Sequence, residues 1–199
     1  MNKNTQLVIS TLFHPIFVNI VSLLLLFTLF PSLAAISYKS KSTIISVIIS
    51  LTVIIPLVLV GFLKITNQIS SMQMEDKKDR KWPFAVTALG YIFSFYLLQK
   101  VGVSMLLLKF LLAGSGTVVC IAIVNNFWKI SVHMASIGGL LGLLVIVNLN
   151  NYLDLRLAVA GVVLISGIVA SARLFAKAHN MAQILAGFAL GFVWIYIVL

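Results

Sequence analysis

Acidic residues are scarce in this chain. There are four, Glu75, Asp76, Asp79 and Asp154, against 14 lysines and arginines, and none falls inside a stretch apolar enough to cross a bilayer. The shortage argues against two membrane classes. Prenyltransferases of the membrane type hold magnesium at a diphosphate through clustered carboxylates, because Mg²⁺ takes oxygen ligands. Proton- or sodium-coupled carriers place carboxylates within the membrane. Cysteine is scarcer still. The single Cys120 lies in an apolar run, forms no internal disulfide, and reads as a small core residue. Three histidines, His14, His133 and His179, stand far apart in sequence, which gives a zinc site little support. Heptads, soluble repeats and low-complexity tracts are missing as well.

What the chain has in quantity is apolar sequence. Hydrophobic residues make up 61% of 199 residues, charged residues 9%, and the mean hydropathy is +1.15, well outside soluble norms. A helix needs about 20 residues to cross a hydrocarbon layer of roughly 30 Å. Runs of that kind lie at about 8–31, 42–66, 83–100, 103–124, 132–150, 155–173 and 179–199. The reading is an all-α polytopic membrane protein of six to seven transmembrane helices, with residues 1–199 as a single integral-membrane domain. Splitting 83–124 into two helices, with Lys100 and Gly102 at the turn, follows because 42 residues are far too many for one crossing. Lys3 precedes the first span and no convincing small-residue cleavage site follows it, so this span reads as an anchor.

The net charge of +10 does not indicate nucleic acid. No basic domain carries base-stacking aromatics, and the Trp and Tyr residues sit in or beside spans, where they favour the membrane interface. The cations lie at helix ends. Lys39 and Lys41 read as surface anchors to anionic headgroups.

Three polar segments remain. KKDRKWP contains Lys77, Lys78, Arg80 and Lys81 and ends at Pro83, which suits a first helical turn. It is either a solvated loop, with Glu75, Asp76 and Asp79 pairing some of the cations, or an electrostatic lip for an anionic headgroup. In the second case Arg80 is the best candidate, because a guanidinium grips phosphate in a bidentate way. ISVHMA sets Ser131 and His133 at the start of a helix, where open N–H groups favour an anion. Ser131 is equally a candidate helix cap, and His133 a candidate interfacial histidine without chemistry. SARLFAKAHNMAQILAG holds Arg173, Lys177, His179 and Gln183 within eleven residues. His179 and Gln183, four apart, share one helix face, and the Gln carbonyl can take the imidazole Nδ1–H and leave Nε2 as a nucleophile. Arg173 and Lys177 can clamp a phosphate. Gly187 and Gly191 continue that stripe and allow a neighbouring helix to approach closely. His14, beside Pro15 in the first span, has no clustered partner in sequence and reads as structural. Two spans separate each polar segment from the next, so all three return to one membrane face.

Taken together, these residues resemble the type 2 phosphatidic acid phosphatase (PAP2) superfamily. The family carries a basic segment ending in Arg-Pro, then Pro-Ser-Gly-His, then Ser-Arg, five residues, His, three residues, Asp. The third pattern is reproduced in spacing by Arg173 and His179, the second keeps Ser131 and His133, and the first is matched loosely by KKDRKWP. The resemblance covers about residues 71–191 and implies a PAP2-like helical bundle. Departures are plain. Ile130 and Val132 replace proline and glycine, Trp82 stands before Pro83 where arginine belongs, Ser171 lies one residue early with Ala172 in its place, and Gln183 replaces aspartate. Gln183 can orient His179 but offers no charge to an imidazolium.

The resemblance implies a lipid phosphate phosphatase that uses no metal and no cofactor. His179 is the nucleophile, oriented by Gln183, and His133 the acid and base, with Arg173, Lys177, Ser131, Arg80 and Lys77 on the phosphoryl oxygens. The substrate is a membrane lipid phosphate or diphosphate, and the membrane a bacterial cytoplasmic one; the resemblance favours a site facing outward, while the excess of Lys and Arg on the site face favours the cytoplasmic side. The alternatives are a non-catalytic lipid-phosphate-binding protein, which the Gln183 replacement favours, a lipid phosphotransferase, and an unrelated transporter.

Overall fold

The computed structural model describes residues 2–71, 74, 76–150 and 153–199. Glu75 with its expected pairing, Asn151 and Tyr152 of the 150–154 loop, and the side chain of Lys3 lie outside that description. The described residues form helices and connecting turns, with no strand. Among the described residues, seven helical stretches are long and apolar enough to cross a membrane: Asn4–Leu29, Tyr38–Ile65, Lys77–Lys100, Met105–Phe127, Val132–Leu149, Arg156–Phe175 and Met181–Val198. They match the seven expected spans to within a few residues, save the third, which begins six residues earlier. The division of 83–124 falls where glycine indicates, with Gly102 at φ 73 between the two helices, a conformation that disfavours a side chain.

In chain order the helices are α1 (Lys3–Leu12), α2 (Pro15–Leu29), α3 (Pro31–Ala34), α4 (Tyr38–Ile49), α5 (Ile55–Ile65), α6 (Lys81–Lys100), α7 (Met105–Phe127), α8 (Val132–Leu149), α9 (Arg156–Phe175) and α10 (Met181–Val198). The span Lys77–Lys100 opens with a 3-10 turn at Lys77–Arg80, and two others are broken or widened within, a proline accounting for each. Pro15 divides the first span into α1 and α2, because proline lacks the N–H that would continue the ladder and disfavours helical geometry in His14 before it. Within Tyr38–Ile65 the five residues Ser50–Ile54 widen into a π turn, in which the N–H of Ile55 reaches back to the carbonyl of Ser50. Pro56, at the start of α5, has no N–H to give Thr52, and the ladder loosens one turn earlier.

The chain forms two compact units. One comprises residues up to Ala35 together with Ile130–Leu199, and the other Ile36–Lys129. In the second, α6 packs on α7 and on the π turn. A methyl group at Gly90 would overlap the Leu51 carbonyl, and one at Gly114 would stand 2.6 Å from the Tyr91 ring.

In the first unit α8 is the central helix. More than half of it is buried, and it packs against α2, α9 and α10 around Val18, Met134, Ile137, Leu141, Val169 and Ile184. Its tightest partner is α10. Methyl groups at Gly187 and Gly191 would run into the carbonyls of Ser131 and Ala135, and one at Gly138 into that of Phe188. Lipid tails are as apolar as leucine, so helices in a bilayer gain from each other through close van der Waals contact, which small residues permit.

Candidate functional site

The corner between α9 and α10 is built by backbone rules. α9 ends in a Schellman motif: the N–H of Lys177 bonds the Leu174 carbonyl at 2.9 Å and that of Ala178 the Arg173 carbonyl at 3.1 Å. Lys177 holds the left-handed position, φ 52, that glycine usually takes there. Three residues later Asn180 caps α10. Its Oδ1 accepts from the N–H of Gln183 at 2.9 Å, and Gln183 Oε1 accepts from the N–H of Asn180 at 3.2 Å, a reciprocal capping box. Squeezed between the two motifs, His179 is buried, with 7% of its surface exposed.

The capping box also decides the tautomer of His179. A backbone N–H can only donate, so the Gln183 atom facing Asn180 is oxygen. That same oxygen lies 3.1 Å from His179 Nδ1. Nδ1 therefore carries a proton, which in the neutral ring puts the lone pair on Nε2.

The start of α8 is laced to this corner by the N–H of Ser131, which bonds the backbone carbonyl of Gln183 at 3.2 Å. Ser131 is fully buried. Its hydroxyl does not cap α8, and among the described residues it has no hydrogen-bond partner. An unsatisfied buried hydroxyl costs about 1–3 kcal/mol. Two residues along, His133 Nε2 lies 3.1 Å from the carbonyl of Ser10 in α1. A carbonyl only accepts, so this nitrogen bears hydrogen. Arg173, near the end of α9, donates from Nη1 to the hydroxyl of the same Ser10 at 3.2 Å.

Sequence reasoning missed two participants. His14, expected to stand apart, sets its ring edge-on to His133, centroids 5.5 Å apart at 84°. It also has the structural role expected of it, since its Nδ1 accepts from the N–H of Ile16 at 3.4 Å and so caps α2. Ser10 carried no signal of residue type, because half of what it contributes is backbone. His14–Pro15 did carry one, as a helix breaker with an ionisable neighbour inside an apolar span.

The structure thus brings Ser131, His133, Arg173, His179 and Gln183 into one unit, joined by Ser10 and His14. Lys177 shares the corner, with an exposed side chain. Lys77 and Arg80 belong to the other unit. Lys77 Nζ donates to the carbonyl of Asn126 at 2.9 Å, while Asn125 Nδ2 donates to the carbonyl of Lys77 at 2.9 Å. Arg80 is buried and donates from Nε to the carbonyl of Met74 at 2.8 Å. Asp76 caps the turn at the N–H of Lys78, and Asp79 accepts from both the N–H and the hydroxyl of Ser70. Much of this segment's polarity serves to fix its own backbone. Among the described residues, no group of three or more His, Cys, Asp or Glu side chains is placed to hold a metal ion.

This cluster can bind an anion through a guanidinium and a serine hydroxyl, and it presents two imidazoles in defined tautomers. No family model, curated protein or solved structure matches the chain.

Proposed function

We propose that this protein is a lipid phosphate phosphatase of the PAP2 type, acting on a membrane lipid phosphate or diphosphate without a metal ion. The observation that carries the proposal is the tautomer of His179: Gln183 holds Nδ1–H and leaves the lone pair on Nε2, within a cluster that also holds a second imidazole and a guanidinium. In the first step the Nε2 pair attacks phosphorus, the phosphorus–oxygen bond to the lipid breaks, and His133, neutral with hydrogen on Nε2, takes the proton of the phosphate monoanion at Nδ1 and gives it to the departing oxygen. In the second, water attacks phosphorus and yields a proton to His133 Nδ1, the phosphorus–nitrogen bond breaks with its pair returning to His179, and the Nδ1 proton leaves with the inorganic phosphate. Arg173 and Ser131 stabilise the equatorial charge. Lys177 supports that pair from the same corner. By span counting alone, Lys77 and Arg80 serve the same membrane face.

A second reading, a lipid-phosphate-binding protein without turnover, is favoured by one observation. The capping box alone accounts for Gln183, and a neutral amide leaves an imidazolium without a counter-charge. Purified protein offered a panel of lipid phosphates in the presence of a chelator decides between the two. Phosphate release that survives the chelator and disappears in His179→Ala supports the enzyme. No release on any substrate, with vanadate still bound, supports the binding protein, and label passed from a trapped phosphohistidine to a second lipid indicates a transferase. We place the site on the outward face of a bacterial cytoplasmic membrane, as the family resemblance implies. Labelling of cysteines introduced at Lys41 and Lys77 tests this: only the second should react from outside.

A further inference from the structure

The break in the first span does more than bend a helix. In a continuous helix the N–H of His14 would bond the carbonyl of Ser10, four residues back. Here α1 tightens at its end, and the N–H of His14 bonds Thr11 at 3.2 Å instead. The carbonyl of Ser10, in the last turn of α1, is thereby released from the ladder, and it meets His133 Nε2 at 3.1 Å. The end of a helix carries partial negative charge and favours cations and N–H donors. Both groups that reach Ser10 are of that kind: the imidazole of His133 at its carbonyl and the guanidinium of Arg173 at its hydroxyl, 3.2 Å away. On the other side of the break, His14 backs the His133 ring at 5.5 Å. Broken membrane helices tolerate exposed backbone where it lines a binding site.

We propose that Ser10 and His14, at the break of the first span, are positioning residues of the site. The Ser10 carbonyl keeps the Nε2 proton on His133 through the whole cycle, so that Nδ1 is the atom that exchanges protons. The Ser10 hydroxyl sets the guanidinium of Arg173 for the phosphate, and His14 fixes the plane of the His133 ring. This proposal rests on the phosphatase reading for its kinetics and on geometry alone for its tautomer.

The chain contains three histidines, so nitrogen-15 resonances of histidine-labelled protein in nanodiscs can be assigned by removing each in turn. The expected spectrum gives His133 as the Nε2–H tautomer at neutral pH. Pro15→Ala restores an N–H at the break and lets the ladder reclaim Ser10. His14→Asn keeps a capping acceptor for α2 but removes the ring. Each should turn His133 into a mixture of tautomers and lower kcat about tenfold with little change in KM, which corresponds to about 1.4 kcal/mol. Ser10→Ala should weaken vanadate binding and raise KM about tenfold, and Ser10→Thr should recover most of the loss. A wild-type His133 in the Nδ1–H form overturns the proposal, as does a tautomer unmoved in both Pro15→Ala and His14→Asn. If the wild type hydrolyses no lipid phosphate, the phosphatase reading fails, while the tautomer and vanadate measurements still decide this one.

Discussion

Replacing Gln183 by glutamate tests the central chemistry most directly. The side chains are nearly isosteric, so a carboxylate oxygen can occupy the place of Oε1 and keep both contacts, 3.1 Å to His179 Nδ1 and 3.2 Å to the N–H of Asn180. Glutamate is also the preferred partner in a capping box, and a negative charge in the first helical turn adds about 0.3–1 kcal/mol. The fold should therefore hold or gain. For the reaction, a neutral hydrogen bond has a net worth of about 0.5–1.5 kcal/mol and one to a charged group about 1.5–3. On the phosphatase reading, the carboxylate thus offers about 1 kcal/mol more to a His179 that becomes cationic as it attacks phosphorus, or about fivefold in kcat. Aspartate, one methylene shorter, should gain less from this backbone position. The assay is phosphate release from lipid phosphates in micelles with a chelator present, beside a thermal melt. A Gln183→Glu protein that melts no lower than the wild type yet turns over no faster would refute the role given to His179.

Other consequences are simpler. Lys177→Gly should raise stability by about 1 kcal/mol by relieving the left-handed backbone, while raising KM if the ammonium contacts phosphate; a lower melting temperature would contradict the first half. Gly191→Ala forces a methyl group into the Ala135 carbonyl and should cost about 1–3 kcal/mol, with activity falling as the Ser131–Gln183 contact opens. Gly167→Ala, with no atom within 4 Å of the added carbon, should melt at or above the wild-type temperature. Hydrogen bonds from the Arg156 side chain, then its N–H, hold the Asp154 carboxyl below its ordinary range. The folded pKa is the lower one, so stabilisation is present above the unfolded value of about 3.9 and fades as pH falls through the folded value. The pair is fully exposed, so Asp154→Asn should shift the melting temperature slightly at neutral pH, and that difference should vanish in acid.

The membrane helices were legible because a crossing demands length and apolarity, and sequence displays both. The glycine stripe of α10 and the His179–Gln183 pair were legible for a related reason, since four-residue spacing fixes a shared face whatever surrounds it. Burial of cations was not legible. Four basic residues between 77 and 81 look alike in sequence, yet Arg80 is the one buried, its Nε on a main-chain oxygen. The contribution of Ser10 was hidden for a deeper reason. A serine in an apolar helix ordinarily bonds its own preceding turn, and nothing in its identity announces that a carbonyl has been released. Only the neighbouring His14–Pro15 pair hints at it.

The glycine contact between α8 and α10 has a bearing on assembly. His179 and Gln183 enter the membrane with α10, after Ser10, His14, Ser131, His133 and Arg173 have all been synthesised. On the phosphatase reading, a nascent chain inserted helix by helix would hold the guanidinium and one imidazole of the site but no nucleophile until α10 closes against α8. The fit of bare backbone at Gly187 and Gly191 would then be the contact that completes the site.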